Sequence, residues 1–600
     1  MNIYAEGQWA HSRSSARNNP NRTLANVTVR SGNPFIPASV QAQMTTQGLA
    51  SFVLGSTNAD IGRFNVDNER ELKKVTIGAS GDFGSNWKWD GYYQYSAADV
   101  IERVRNNVIR ANLALATDAV RAPNGSIVCR VTLTDPTNPC VPYNTMGIGV
   151  NTPAAITYIT GVSFRNQALR QQVAALNLNG EPFSLWAGPV SLALGAEYRK
   201  ESVTGTVSAI DLANGFGGAN YKPNIGSYSV KEGYIETVVP LVKDQAWTKS
   251  LDINAAVRAT DYTTSGFVTT WKVGATWEPI DGIRLRGTRS RDIRAGSLGE
   301  LFATGVQNAQ GSFRDPFTNT TTTNALQVTT GNPNLNPEKA DTVNLGVVLS
   351  PGFMPGFQAS VDFYNIKLNN AIISPSAQTI INACFAGITE LCGNITRTNG
   401  AITRINTSVS NISRQVQKGL DIEATYKIPL GNGNLTLRAL ATYLLKLESK
   451  DLQFGTLNGL NQLNFTGASS ATGLTAPKFR STVTLTYDDG STRVTLTERH
   501  ISSGFFDNQF IECQTTCPNG SNRTINNNHI GGNDLFDLNL SHKVTMGNKN
   551  MELFFNIHNL FNTAPPFIGG LVNEAFFQGQ GNVMYDRLGR LFLTGVRFKM

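Results

Sequence analysis

Apolar and polar residues alternate along most of this chain. In WKWDGYYQY, Trp87, Trp89, Tyr93 and Tyr95 fall on one face of an extended strand, with Lys88, Asp90 and Gln94 on the other. In LDINAAVRAT, Leu251, Ile253, Ala255 and Val257 oppose Asp252, Asn254 and Arg258; in NLTLRALATYLLKL the odd positions Leu435 to Leu447 oppose Thr436, Arg438, Thr442 and Lys446. A period of two marks strands with one face in an apolar medium and the other in a polar one. The chain ends in the same way, Val596, Phe598 and Met600 alternating with Arg597 and Lys599. A terminus frays unless something pairs with it. This last strand is therefore expected to find a partner, and the strand carrying Met1, Ile3, Ala5 and Trp9 is the candidate.

The connections predicted between strands are unequal. Short turns fall after Ser80 and at Ala187, Glu278, Ser350, Pro429, Asp488 and Met546, whereas long polar stretches occupy residues 13–67, 101–170, 294–338, 369–411, 448–476, 502–533 and 562–590. Short periplasmic turns at one end and long extracellular loops at the other characterise outer-membrane barrels. The turns mark out about eighteen strands, the first running up and the last down. The fold expected is all-β, a transmembrane antiparallel β-barrel. In lipid an unpaired edge leaves each backbone polar group several kcal/mol short, which is a second reason to expect first and last strands to meet. The competing fold is a soluble extracellular β-sandwich array, an adhesin. It would show turn signals every 8 to 12 residues or so and equal loops.

Composition narrows the choice. The 600 residues include 56 glycines, 40% are hydrophobic and only 16% are charged, and no run nears the roughly 18 apolar residues a spanning helix needs. A net charge of +8 comes from 51 basic residues scattered among 43 acidic ones, without a basic block, so nucleic acid is not an expected partner. A polar lumen or anionic lipid accounts for the excess. Six cysteines form three local couples, Cys129 with Cys140, Cys384 with Cys392 and Cys513 with Cys517, all in the long polar stretches. Loop disulfides in an oxidising compartment are the reading; zinc is the alternative, although the last couple is C-x3-C without a second ligand pair. The N-terminus MNIYAEGQWAHSRSS lacks the basic, apolar and small-residue zones of a secretory signal. Oxidised loops without a signal lead to the expectation that the protein's true start lies upstream.

No H-E-x-x-H, G-x-S-x-G or P-loop pattern occurs, so no catalytic residue, metal site or cofactor is expected. His11, His500, His529, His542 and His558 are separate from one another and read as lumen or loop residues. Arg284, Arg286, Arg438, Asp421 and Glu423 face inward by their strand positions, and either line a solute path or form an ion-paired wall. Phe313, Phe317, Phe505 and Phe506 lie in loops, where aromatic faces suit stacking on sugar or catecholate rings.

Several segments resemble those of TonB-dependent outer-membrane receptors. SRDIRAGSLGELF, with Arg294, Leu298, Glu300, Leu301 and Phe302, is similar to their R-x-P-x-L-x-E-L-F segment, Gly296 standing in place of the proline. GNPNLNPEKADTVNLGVVLSP, with Asn332, Pro333, Leu335, Pro337 and Glu338, resembles their N-P-x-L-x-P-E segment. NIHNLFN, with Asn559, Leu560 and Phe561, and the terminal GVRFKM resemble their last two strands, and the AVRAPNGSIVC loop is similar to that of a proteobacterial branch. Met600 replaces the usual terminal aromatic residue. The resemblance spans the chain and implies a barrel of about 22 strands enclosing an N-terminal plug. It further implies uptake of a ferric siderophore, cobalamin or an oligosaccharide, driven by the TonB complex, in an outer membrane of lipid and lipopolysaccharide. Nothing in residues 1–80 resembles a plug. On this reading residues 1–600 are one barrel domain, N-terminally incomplete, lacking signal peptide, TonB-binding motif, plug and about four strands. TonB is a partner only if those parts exist. The alternative function is a passive pore without a plug.

Overall fold

In a computed structural model of the chain the strands form one large antiparallel sheet. The structure describes all residues except 85, 219, 452–454, 459–475, 508–509, 516, 519–523, 547–548, 567–584, 587 and 600. The sheet has 19 strands, one of which, Gly455–Asn458, only extends the upper end of its neighbour. The others form the wall: β1 Asn2–Pro20, β2 Arg63–Phe83, β3 Trp87–Val108, β4 Thr160–Leu185, β5 Gly188–Val207, β6 Gly226–Gln245, β7 Thr248–Tyr262, β8 Gly266–Ile280 and β9 Ile283–Arg294. They continue as β10 Glu338–Leu349, β11 Phe357–Ile373, β12 Ser410–Leu430, β13 Gly433–Asp451, β14 Phe479–Asp488, β15 Thr492–Ile501, β16 Asn533–Met546, β17 Lys549–His558 and β18 Leu591–Lys599. Each wall strand pairs with the next in the sequence, so the topology is a continuous meander. Among the described residues no helix is long and apolar enough to cross a membrane.

Register turns the alternation into rows. Tyr426, Leu437, Leu485, Leu496, Leu538, Ile557 and Phe592 lie side by side across seven strands, and Trp277, Leu285, Val347, Val361, Ile422 and Ala441 across six. These rows face outward, and in the isolated chain none of their side chains is buried, Leu437, Leu485, Phe592, Trp277, Leu285, Val361 and Ile422 being exposed and the rest half-exposed. Trp186, Trp247 and Phe353 stand exposed at the short turns, where aromatic residues girdle the membrane interface.

Four expectations are corrected. The wall strands run further than polarity suggested: β1 to β4 carry through residues 13–20, 63–67, 101–108 and 160–170, because a strand that rises into water changes side chains without ending its ladder. A loop at residues 208–225, rich in Gly and Asn but without cysteine, was not foreseen, and residues 263–265 make a tight hairpin at the long-loop end. The odd face from Leu435 to Leu447 breaks at a bulge. Lys418 pairs with Lys446 but Gly419 with Leu444, leaving Leu445 exposed and turning Leu447 inward, where it is buried. Finally, among the described residues β1 is in register with β2 alone and β18 with β17 alone, so the last strand does not close on the first. A sheet closes only when strand number, tilt and stagger bring its edges together.

Candidate functional site

The inward face of the wall is polar and tied together by charge. Arg286, Gly346, Asp362, Asp421 and Thr442 form one row across five strands. Arg286 reaches over the glycine to donate both its Nε and Nη2 to Asp362, at 2.7 and 2.5 Å. A Cβ at Gly346 would sit 2.0 Å from the Asp362 carboxylate, so only glycine lets the bridge span three strands. Arg284 pairs with Glu278 at 3.1 Å, Arg438 with Glu423 at 2.8 Å, and Thr442 donates to Asp421 at 2.8 Å. Four of the five inward candidates are thus ion-paired, and Asp421 is held by a hydroxyl. Arg286 and Asp421 border a cavity of about 660 Å³ that includes Tyr364 and Arg480, and Arg284 and Arg286 border one of about 1210 Å³ that includes Asp252 and Lys272.

Above the lumen the loops are folded, with cores of their own. Residues 21–62 and 109–159 pack Val27, Ile36 and Met44 against Leu113, Tyr143 and Ile159, with Cys129 and Cys140 joined inside. Asp60 staples this unit by accepting from the backbone N–H groups of Gly149, Val150 and Asn151, which hold its carboxyl below the usual range. Burial pushes the Tyr143 phenol up to about 12. A second core joins Ala325, Ile380, Ile381, Ile402 and Ile405, beside the Cys384–Cys392 disulfide. The third disulfide, Cys513–Cys517, lies near a smaller core of Phe506, Ile530 and Tyr585. No free cysteine remains, and the three S–S bonds join the couples read from spacing.

The loop aromatics divide. Phe506 is buried and Phe313 packs against the second core, whereas Phe317 and Phe505 are exposed. Phe317 meets Phe385 edge to face at 5.1 Å, and the Arg397 guanidinium lies 5.2 Å from its ring centre. Arg397 also pairs with Asp315 at 2.5 Å, and that bond holds the nearly buried carboxyl below the usual range. Phe385, Arg397 and Asp315 were missed in the sequence because they come together across about 80 residues of chain, with no local pattern to mark them. The histidines are spread as expected, with one exception. Glu498, His500 and Asp534 place ligand atoms within 4.8 Å of one another on the outer face, His500 already bonded to Asp534 at 2.5 Å.

The receptor-like segments dock on each other. Ser297 and Glu300 form a capping box at the start of Leu298–Phe302. Arg294 pairs with Glu300 at 2.8 Å and with Glu338 at 2.6 Å, while Glu338 accepts from the Ile372 N–H. Burial pushes the Glu300 carboxyl up, but the Arg294 and Ser297 hydrogen bonds outweigh it and leave it lowered. Leu301 and Leu335 are buried against Ile372, and Asn332 donates to the Val409 carbonyl. The segment's Pro333 and Pro337 lie in the irregular stretch between. Asn559, fully buried with φ of 53°, takes its N–H to Asp537, Leu560 donates to the Phe536 carbonyl, and Phe561 stacks edge-on against Phe536 at 5.2 Å. These residues hold loop bases to strand ends. Met600 lies outside the described residues.

An antiparallel meander with lipid-suited outer rows, a charged inner face and disulfide-bearing loops is the architecture of a membrane-spanning β-barrel. The family model for the TonB dependent receptor-like β-barrel matches residues 8–560, and the chain belongs to that family. No curated protein sequence matches it. Among solved structures, a double mutant of the ferric enterobactin receptor PfeA from Pseudomonas aeruginosa is similar with a TM-score of 0.55 at 14% identity, over 89% of this chain and 66% of that one. The siderophore receptor PirA from Acinetobacter baumannii gives 0.53 at 12% identity, over 99% of this chain and 71% of that one. The chain thus spans just under two thirds of the PfeA structure. At such identities the likeness is one of fold.

Proposed function

We propose that the chain is the barrel of an outer-membrane receptor that takes up a scarce solute, a ferric siderophore before cobalamin or an oligosaccharide, with energy from TonB. The observation that carries this is the folding of the loops. A passive pore has no use for loops that build their own cores and lock them with disulfides, whereas a receptor needs a pre-organised surface to recognise a rare ligand. The exposed Phe317 and Phe385 rings with the Arg397 guanidinium over Phe317 suit an anionic chelate that presents aromatic rings better than a neutral sugar. The ferric siderophore receptors with the same fold lend the choice weight.

The test is uptake by cells producing the protein from its own locus. Radiolabelled iron presented as a panel of siderophores, with labelled cobalamin and maltodextrin alongside, is expected to give saturable uptake of one ferric chelate that stops when tonB is deleted. Unsaturable entry of all small solutes, independent of TonB, would favour the pore, and recovery of the protein outside the membrane fraction would favour the adhesin.

A further inference from the structure

Among the described residues, metal-ligating side chains converge in one place, where Glu498, His500 and Asp534 bring a ligand atom each to within 4.8 Å of the others. The strand register makes this meeting. Glu498 and His500 alternate with Arg499 on β15 and so share its outer face, and Asp534 stands directly across from His500 on β16. Glu498 is opposite Phe536, and directly beneath them lie Leu496 and Leu538, so the three sit at the upper edge of the apolar wall. Just above, Ile501 and Asn533 make the last pair before β15 and β16 part into the loop that carries Cys513–Cys517.

The two carboxylates here are not matched by a side chain of fixed positive charge. Among the described residues Glu498 has no ion-pair partner and Asp534 has only His500. Arg499, between Glu498 and His500 in the chain, points inward and pairs with Asp537 at 2.7 Å. Asp341 and Glu448, also on the outer face, are matched by Arg291 and Lys446. Negative charge left unmatched beside hydrocarbon is costly, and a bound cation offsets it. An imidazole nitrogen with two carboxylate oxygens selects a borderline divalent ion such as zinc, since calcium and magnesium take oxygen ligands. Ligands around tetrahedral zinc stand roughly 3.3 Å apart, so rotation of these three side chains, none of them buried, closes the set. The His500 Nδ1 and the Asp534 carboxylate already meet in a hydrogen bond at 2.5 Å, whose proton the ion would displace. The Phe479 ring, 5.6 Å from the imidazole, walls one side of it, and no free thiol competes for the metal. We propose that Glu498, His500 and Asp534 form a divalent transition-metal site of the zinc class that clips β15 to β16 at the base of the third disulfide loop. Water completes its coordination. The site lies on the outer face and does not depend on which solute the receptor recognises.

The full chain in detergent, freed of metal by chelation, is titrated with Zn²⁺ by calorimetry and with Co²⁺ by visible absorption, whose ligand-field bands report the coordinating atoms. The native protein is expected to take a single ion, and amide exchange at residues 501–503 and 531–533 to slow when it does. Losing a ligand should weaken binding at least as much as losing an outer-shell partner does, so His500→Ala and Glu498→Gln are each expected to lose roughly tenfold or more in affinity. The variant His542→Ala, which removes another outer-face histidine of β16, one that bonds Thr492, should bind like the native protein. All variants should keep the unboiled gel mobility of a folded barrel, and Glu498→Gln, which keeps the shape of the side chain, decides the matter if His500→Ala does not fold. Absence of saturable Zn²⁺ binding by the native protein overturns the proposal, as does a folded His500→Ala or Glu498→Gln protein that binds as tightly as the native one. Tighter binding of Ca²⁺ than of Zn²⁺ overturns the part given to the imidazole, and binding that leaves exchange at the loop base unchanged overturns the clip.

Discussion

The wall and the loops of this protein are built on opposite plans. In the wall the apolar rows point outward and the charges inward, as in Arg286 on Asp362 across Gly346, and what holds neighbouring strands is the backbone ladder. In the loops the apolar residues point inward, as in Ile380, Ile381, Ile402 and Ile405, and covalent S–S bonds close short segments around them. The wall needs lipid to be stable and the loops need only water. The two regions should therefore fail under different conditions, and each can be damaged without the other.

The sharpest separation is expected from Ile381→Asp. It buries a carboxylate in a core where the native side chain is fully buried, at a cost of roughly 4 kcal/mol or more. Amide exchange should rise across residues 374–409 while β11 and β12 stay protected below Ile372 and Ser413. Matching loss of protection in the wall would show that loops and wall fold as one unit. Next comes Leu345→Arg on the outer face, which puts a charge into hydrocarbon at about 2–4 kcal/mol. It should lower the temperature at which the folded gel band is lost and leave the loop cores intact. Replacing both Cys384 and Cys392 by serine removes a cross-link that contributes about 2–4 kcal/mol, seen as faster proteolysis of that loop alone.

Acid should unlatch the second loop core before it touches the wall. The Asp315 carboxyl is held below its ordinary value of 3.8 by Arg397. Its contribution is therefore complete above that pH and is lost as pH falls below 3.8 through the lowered folded value. Exchange in residues 315–320 and 397–400 should increase below about pH 3.8, and Asp315→Asn should remove the pH dependence. The smallest effect is expected from Arg438→Gln, because its partner Glu423 and the guanidinium are both about half exposed. Such a pair contributes under about 1 kcal/mol, so a shift in stability beyond that would mean the lumen is drier than the structure suggests.

How much of this was legible in the sequence follows the same division. The wall was readable because a period of two is a local signal that survives over 18 strands. The exceptions are places where local pattern is silent. Leu444 and Leu445 are apolar on either face, so nothing marks the bulge between them. Polar residues such as Arg13 and Glu69 end the apolar pattern without ending the strands. The three disulfides were readable from spacing because each couple is close in the chain. The loop cores were not, since Val27 meets Leu113, and Asp315 meets Arg397, across some 80 residues. The receptor-like segments stood out as sequence, yet their work, Arg294 between Glu300 and Glu338 and Asn559 against Asp537, became visible only when strands 40 or 20 residues apart came together.

The central claim is that the loops form a pre-organised receptor surface on a membrane wall. Equilibrium binding of ferric siderophores to the purified protein in detergent, with the disulfides intact and after their reduction, tests it most directly. The account predicts one saturable site for one ferric chelate, weakened at least tenfold by reduction while the unboiled gel mobility of the wall is unchanged. Equal binding before and after reduction, or no binding of any chelate by the oxidised protein, would contradict it.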